Sequence, residues 1–415
     1  MTFVLAVLFV SACSSGKPVT PPIAKADGIN GSAPATSSSA AALSTGAEQT
    51  AIYLPLLKGK RVGILANPTS IIGKRHLVDS LKSLGVNIIK AFGPEHGFRG
   101  QASDGAKVKN DIDAKTGIPI ISLYGTHNKP TAEDLKGIDI MIFDIQDVGA
   151  RFYTYISTLH LLMEACAENN VALMILDRPN PNAFCIDGPI REEKFKSFIG
   201  MHPIPITHGM TIGEYARMIN GEGWLKNKVR CKLSVIKMQN YTHSTLYTLP
   251  VKPSPNLNTQ QSVLLYPSLC LFEGTVISVG RGTNIPFQVL GNPKLSGKYQ
   301  FSFTPVSIPG VSDAPLHQNE PCYGIDLQKY NTSTLIKSGK LNLKWLIEFY
   351  KAYPEKEKFF DHTLNKRMNN FDRLAGTETL RKQIITGKTE DEIRKSWEAG
   401  LSQFKVMRKK YLLYQ

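Results

Sequence analysis

Two kinds of apolar pattern alternate along the first part of the chain. RVGILANP, VNIIKAF, GIPIIS, IDIMIFD, VALMILD and LSVIKM are short runs, apolar at almost every position and closed by Gly, Pro, Asp or Asn. Such runs read as strands covered on both faces, as in the middle of a parallel sheet. Between them lie segments whose apolar residues recur every three or four positions. In RFYTYISTLHLLMEACAENN the residues Ile156, Leu159, Leu162, Met163 and Ala167 form one helical stripe. Shorter helices are predicted over 74–84, closed by Gly85, in PTAEDLKG, where acidic residues come early and a glycine ends the run, and in MTIGEYARMING. The alternation continues through Asn256 and predicts a doubly wound, Rossmann-like α/β sheet.

Beyond Thr259 the pattern changes. SVLLYPSLCLFEGTVISVGRGTNIPFQVLGNP mixes a helix-like piece with short strands and many glycines. KYQFSFTPV alternates like an antiparallel strand, and LKWLIEFYKAY and the run over 378–414 read as amphipathic helices. The expected organisation is a Rossmann-like N-terminal domain over 48–260 and a smaller α+β domain over 261–415, with the site in the crevice between them.

The N-terminus belongs to neither pattern. An apolar run from Phe3 to Val10, too short to span a bilayer, precedes Ser11-Ala12-Cys13. It reads as a bacterial lipoprotein signal over 1–13, with lipid placed on Cys13, although the usual basic n-region is missing. Residues 14–47 are rich in Ser, Ala, Pro and Gly and fit a flexible tether. The expectation is an exported protein anchored by lipid to a bacterial membrane and facing the periplasm or cell surface.

Composition narrows the partners. Of 415 residues, 42% are hydrophobic and 20% charged, and the net charge of +15 permits anionic partners. The basic residues are scattered without a dense run, which speaks against a nucleic-acid domain. Cys166, Cys185, Cys231, Cys270 and Cys322 show no CxxC spacing, so neither a zinc nor a redox motif is supported. Cys166 and Cys270 sit in apolar segments and read as core; any pairing among the others is not legible. No GxGxxG follows the first strand, and no other cofactor motif is present. His202 and His208 flank PIPIT without a third ligand, a weak case for a metal.

Three strand ends carry the chemistry-bearing residues. IIKAFGPEHGFR stops at Gly93-Pro94 and presents Glu95 and His96; IDIMIFDIQD ends in Asp144, Gln146 and Asp147; VALMILDRPNP ends in Asp177 and Arg178. Parallel α/β folds place their sites at such carboxyl ends, so the three suggest one shared site.

GPEHGFRG, SLYG, DIQDVGARFYTYI, LDRPNP, HGMTIGEYA, PSPN, LYPSLCLFEGT, VGRGT and FDRLAGTETLR follow one another in this order. Together they resemble the NamZ-type exo-β-N-acetylmuramidases, and the resemblance covers nearly all of the chain after the tether. It implies a Rossmann-like domain, a smaller C-terminal domain and an active site between them. It also implies release of terminal N-acetylmuramic acid from the non-reducing end of peptidoglycan-derived muropeptides or disaccharides, in cell-wall turnover and recycling.

Glycoside hydrolysis calls for a proton donor and commonly a second carboxylate. Glu95 is the first candidate for the acid, because apolar Phe92 and Phe98 beside it would favour its neutral form. His96 is a second candidate or an orienting neighbour, and Asp144 a candidate second carboxylate. In an extended DIQD, Asp144 and Gln146 face one way and Asp147 the other, so at most two of the three point into the crevice together; Gln146 and Asp147 are candidate substrate contacts, and Asp147 alternatively caps the following helix. Arg151, expected to open that helix where the dipole disfavours a cation, is a candidate partner for the lactyl carboxylate, or for Asp144 or Asp147. Tyr153 offers a stacking face or core packing. Arg178 is a candidate contact, although a mutual pair with Asp177 is the simpler reading. Asn67 and Asn256 could hold sugar hydroxyls or serve as turn residues, and Glu273 and Arg281 could close the site from the second domain. Two other classes compete: a muropeptide-binding lipoprotein without activity, and a metal-dependent envelope hydrolase, against which the absence of HExxH argues.

Overall fold

The computed structural model describes residues 42–95, 97–99, 111–361 and 371–415. The signal segment with Cys13, the tether up to residue 41, and His96 lie outside the described residues. Packed structure begins ahead of the expected boundary at 48: Ser44 bridges Gln239, and Ala47 is fully buried.

Among the described residues one seven-stranded sheet dominates. Its strands are β1 (Val62–Ala66), β2 (Ile88–Gly93), β3 (Asp111–Ile112), β4 (Pro119–Ser122), β5 (Ile140–Asp144), β6 (Ala172–Leu176) and β7 (Leu233–Ile236). They lie in the order β7-β6-β5-β1-β2-β4-β3, parallel throughout except β3, which runs antiparallel to β4. The chain moves outwards from β1 to β2 and β4. It then returns to the far side of β1 as β5 and moves outwards the other way. The adjacent strands β1 and β5 therefore lead in opposite directions, and open α/β sheets place their crevice beyond the carboxyl ends of such a pair.

The uninterrupted apolar runs follow from burial on both faces. Leu65, Met141, Phe143, Leu173 and Ile175 point into one core, with the helices Tyr155–Glu168 and Ile212–Gly221. Ile64, Ala66, Ile140, Ile142, Met174 and Leu176 point into the other, with the helices Thr50–Leu57 and Leu77–Ser83. The first core continues into the C-terminal region through Phe349, Phe371, Trp397 and Phe404. That region carries a smaller antiparallel sheet, β8 (Val289–Asn292), β9 (Phe301–Phe303) and β10 (Cys322–Asp326), in the order β8-β10-β9. The fold is thus α/β, with a smaller α+β part following it.

Three boundaries differ from expectation. The helix expected over 74–84 begins at Leu77, because Ile71–Ile72 and Arg75–His76 first pair as a hairpin around Gly73, whose φ is +58°. The long helix begins at Tyr155 rather than near Arg151: Ala150 bridges Thr207 and the Arg151 N–H donates to Ile206 O at 2.7 Å, which keeps this stretch out of the helix. The C-terminal helical run is split into Thr379–Ile385 and Glu390–Lys409 at Gly387, φ +74°, and restarts on a Thr389/Glu392 capping box. The five described cysteines are free and buried.

Candidate active site

The loop after β2 is built to hold one side chain out. The Gly97 N–H donates to Pro94 O at 2.9 Å and closes a tight turn with Glu95 inside it. Gly97 has φ +78°, a left-handed conformation that glycine adopts without penalty. A Cβ on Gly93 would sit 2.8 Å from the Phe98 nitrogen, so the chain can double back only because Gly93 has no side chain. Phe98 then turns inward, 3% exposed, edge-on to His76 at 4.9 Å. Glu95 is left half-buried. Its Oε1 accepts from the Tyr124 hydroxyl at 3.0 Å and its Oε2 from the Thr154 hydroxyl at 3.3 Å. Tyr124 follows β4 and Thr154 precedes the long helix, so three separate segments converge on this carboxylate. Neither hydroxyl is singled out by sequence reasoning. The available signal was a tyrosine directly after a strand end in SLYG and a threonine directly before a helix.

The crevice floor between β1, β5 and β6 is a closed polar network. Asn67 Oδ1 accepts from the Thr69 N–H at 2.9 Å and hydroxyl at 2.5 Å, and its Nδ2 donates to Tyr155 Oη at 2.9 Å. The Ser70 hydroxyl donates to Asp144 O, and the Gln146 N–H donates to Thr69 Oγ1 at 3.0 Å. The Gln146 amide donates to Asp147 O at 2.7 Å and Pro179 O at 2.6 Å. These bonds lock the ends of β1 and β5 together.

Asp144 and Arg178 correct the expectation. The Arg178 guanidinium does not pair with its neighbour Asp177, which takes only the Arg178 backbone N–H at 3.0 Å; its Nε and Nη2 donate to the two oxygens of Asp144 at 2.5 and 2.8 Å, and Nη2 also reaches Ile71 O at 2.9 Å. Asp144 has no solvent exposure and its carboxylate is engaged on both oxygens, so it fastens β5 to β6 instead of facing the crevice as a catalytic group. Burial pushes the Asp144 carboxyl up from its ordinary range, and Arg178 opposes that push. Asp177 accepts instead from Thr211 Oγ1 at 2.7 Å, Gly213 N at 2.8 Å and Tyr414 Oη at 2.6 Å, with burial holding its carboxyl up at about 7.

Arg151 is likewise corrected. It has zero exposure, and its guanidinium donates to the carbonyls of Pro189 at 3.0 Å, Ile204 at 2.6 Å and Leu374 at 2.9 Å. These contacts bind two loops and the helix Phe371–Ala375 to one another; the Nε meets no partner among the described residues, but the side chain is fully buried and presents no face to a substrate carboxylate, and Asp144 and Asp147 are not its partners either. Burial lowers the guanidinium to about 9. Asp147 faces the interior too. Its Oδ2 accepts from the Gly149 N–H at 2.7 Å, so it caps its own turn rather than the helix. Its Oδ1 and the Nε2 of His208, 3.8 Å from Oδ2, meet no protein partner. Burial raises Asp147 to about 7 and lowers His208 to about 3. His202 has its ring nitrogens on Tyr215 and His160, each at 2.9 Å.

The C-terminal region reaches the same neighbourhood through aromatic contacts. Tyr153 lies edge-on to Tyr155 at 5.0 Å and to Tyr266 at 5.8 Å, and Tyr266 to Phe287 at 5.0 Å. Arg281 covers Phe287 at 5.1 Å and donates to Glu273. The Tyr153 hydroxyl donates to Pro253 O at 2.7 Å, and Asn256 Nδ2 to Val311 O at 3.1 Å. Of the described candidates from sequence, Glu95 and Arg281 keep partial solvent exposure, whereas Asn67, Asp144, Gln146, Asp147, Arg151, Tyr153, Arg178, Asn256 and Glu273 are buried.

Comparison with known proteins is consistent along the chain. The N-terminal and C-terminal family models described as exo-β-N-acetylmuramidase NamZ match residues 62–261 and 264–414. A curated relative, the peptidoglycan β-N-acetylmuramidase NamZ of Bacillus subtilis (strain 168), is 41% identical over 378 residues, covering 87% of this chain and 89% of the relative. Two crystal structures of DUF1343 family proteins from Bacteroides fragilis NCTC 9343 superpose with TM-scores of 0.82 and 0.75 at 47% and 30% identity, each covering 90% of this chain and 99% of its own. The chain belongs to the NamZ family of exo-β-N-acetylmuramidases.

Proposed function

We propose that the protein is an exo-acting β-N-acetylmuramidase, a glycoside hydrolase that releases N-acetylmuramic acid from the non-reducing end of peptidoglycan fragments. Family membership along both halves of the chain supports the activity, and the relative from Bacillus subtilis bears that name. The observation that carries the mechanism is Glu95: a half-buried carboxyl on a tight turn at a strand end, met by two hydroxyls from other segments. Glu95 is the general acid, giving its proton to the glycosidic oxygen as that bond breaks. Tyr124 and Thr154 fix the direction of the carboxyl, so that the proton is delivered along one line.

Glu95→Gln keeps the shape and removes the proton. The expected loss on the natural disaccharide is on the order of 10² to 10⁴. On an aryl muraminide with a good leaving group the loss is smaller, because the departing phenolate needs little protonation. Equal impairment on both substrates would recast Glu95 as a nucleophile, base or clamp. Wild-type turnover of a β-N-acetylmuraminide but not the matching glucosaminide is the test of substrate class.

The N-terminal expectation becomes part of the same proposal. The apolar run before Cys13 supports export and lipid anchoring, which would hold the enzyme at the membrane near its wall-derived substrate. Cys13→Ser is expected to move the protein from the membrane fraction to the soluble one. Unchanged membrane association would refute the anchor.

A further inference from the structure

The Glu95 turn ends on an unusually complete electrostatic fastening. Arg99 lies four residues beyond Glu95 and grips two carboxylates at once. Its Nε and Nη2 donate to Asp113 at 3.0 and 2.7 Å, and its Nη1 and Nη2 donate to Asp79 at 3.3 and 2.8 Å. Both aspartates are buried, with side chains 2% and 5% exposed, and both have further donors: Lys115 Nζ on Asp79 at 2.5 Å and the Thr116 hydroxyl on Asp113. Burial alone would raise Asp79, but Arg99 and Lys115 override it and hold the carboxyl at about 2. Asp79 sits in the helix Leu77–Ser83, and Asp113 in the turn between β3 and β4. The guanidinium also covers the Phe98 ring at 4.9 Å.

The geometry divides the loop into two anchored feet and one free tooth. One foot is Gly93, paired in the sheet with Ser122 of β4 and accepting at its carbonyl from the Leu123 N–H at 2.8 Å. The other foot is Phe98-Arg99. Among the described residues between them, Glu95 meets side chains from other segments, the hydroxyls of Tyr124 and Thr154. A planar fork bound to two fixed carboxylates resists both sliding and rotation, which a point charge would allow.

We propose that Arg99, through Asp79 and Asp113, is a positioning residue that holds Glu95 in its proton-donating direction. The inference rests on the reading of Glu95 as the acid. Arg99 touches no reacting atom. It acts by keeping the turn from relaxing, and a displacement of about 1 Å in such a group costs on the order of 10²-fold in rate.

The test is a mutant cycle on the purified protein, with thermal melting run alongside. Arg99→Gln and Asp113→Asn are each made alone and combined with Glu95→Gln. Each single variant is expected to lower kcat on the natural disaccharide by on the order of 10²-fold with KM little changed. In the Glu95→Gln background neither is expected to cost anything more, because the group they position is already gone. On an aryl muraminide the losses shrink, as for Glu95→Gln itself. Equal losses with and without Glu95, or losses confined to KM, would overturn the inference and leave a structural clamp only. A dead Glu95→Gln beside fully active Arg99 and Asp113 variants would also overturn it while sparing the acid reading. Full activity of Glu95→Gln would remove the acid reading itself, and the inference with it. Should Arg99→Gln not fold, Asp113→Asn, which keeps the Asp79 half of the grip, carries the test.

Discussion

Replacing Asp144 by Asn separates the two roles this residue could have. The substitution keeps the shape and one acceptor for Arg178 but removes the charge. Arg178 then stays in place with its side chain 2% exposed, held only by a neutral amide and the Ile71 carbonyl. Stranding a buried charge in this way costs about 3–5 kcal/mol. For a unit spanning 42–415, unfolding entropy per residue near 2.1 cal/mol/K gives a shift of about 1.3 °C per kcal/mol. The expected drop in Tm is therefore roughly 4–7 °C. Adding Arg178→Met removes the stranded charge, and the double variant is expected to recover most of the loss, because matched apolar replacements of buried pairs are often neutral. The assay is thermal unfolding of wild type, both singles and the double, with disaccharide turnover measured well below each Tm. A large loss of turnover in Asp144→Asn with unchanged Tm would refute the reasoning and return Asp144 to the reaction.

Further outcomes follow from the same geometry. Arg151→Lys keeps a cation but loses the fork that reaches three carbonyls, so Tm should fall while the KM of the folded fraction stays put; a KM effect without a Tm effect would revive substrate recognition by Arg151. Tyr124→Phe deletes one neutral donor to Glu95, worth about 0.5–1.5 kcal/mol, and should lower kcat by roughly 2- to 12-fold; an unchanged kcat would show that the hydroxyl does not orient the acid. Burial lowers His76 and His160 to about 4 and His208 to about 3, and lowers His202 well below its ordinary value, so each favours folding above its ordinary value of 6.5 and that stability is lost as pH falls towards 4. Asp147 and Asp177, raised to about 7 by burial, and Asp144, which burial also raises, work the other way over the same window, and being fewer than the histidines they only blunt the trend; a Tm that rises as pH falls from 6.5 to 4 would contradict this balance.

The sheet was legible because its strands are apolar on both faces, a pattern that a half-solvated strand cannot produce. The placement of Glu95 was legible for a related reason: a buried strand that stops at Gly93-Pro94 and is followed closely by Gly97 turns sharply, and the residue in that turn is left half-buried. What failed was the choice of partner. Arg178 stands next to Asp177 in sequence, yet successive residues of an extended chain point to opposite sides, and the carboxylate on its side is Asp144 from the neighbouring strand. Arg151 was read through the dipole of a helix that does not begin until Tyr155. Its buried carbonyl partners come from the loops around Pro189 and Ile204 and from Leu374 in the helix Phe371–Ala375, and no local pattern announces a contact spanning 223 residues. Tyr124 and Thr154 escaped notice because neither is exceptional alone; they matter only once β2, β4 and the long helix end side by side.

The Asp177 carboxylate is completed by Tyr414, 237 residues further along the chain, and Leu413 N–H donates at 2.8 Å to Glu214 nearby. During synthesis, β6 and the Ile212–Gly221 helix therefore emerge long before the hydroxyl that quiets this buried acid. Until the ribosome has read as far as Tyr414, the nascent first half carries a buried carboxyl that lacks one of its donors, just past the second strand from the edge of its sheet. The join between the two family segments near residue 262 is thus no boundary for packing, because these hydrogen bonds run across it.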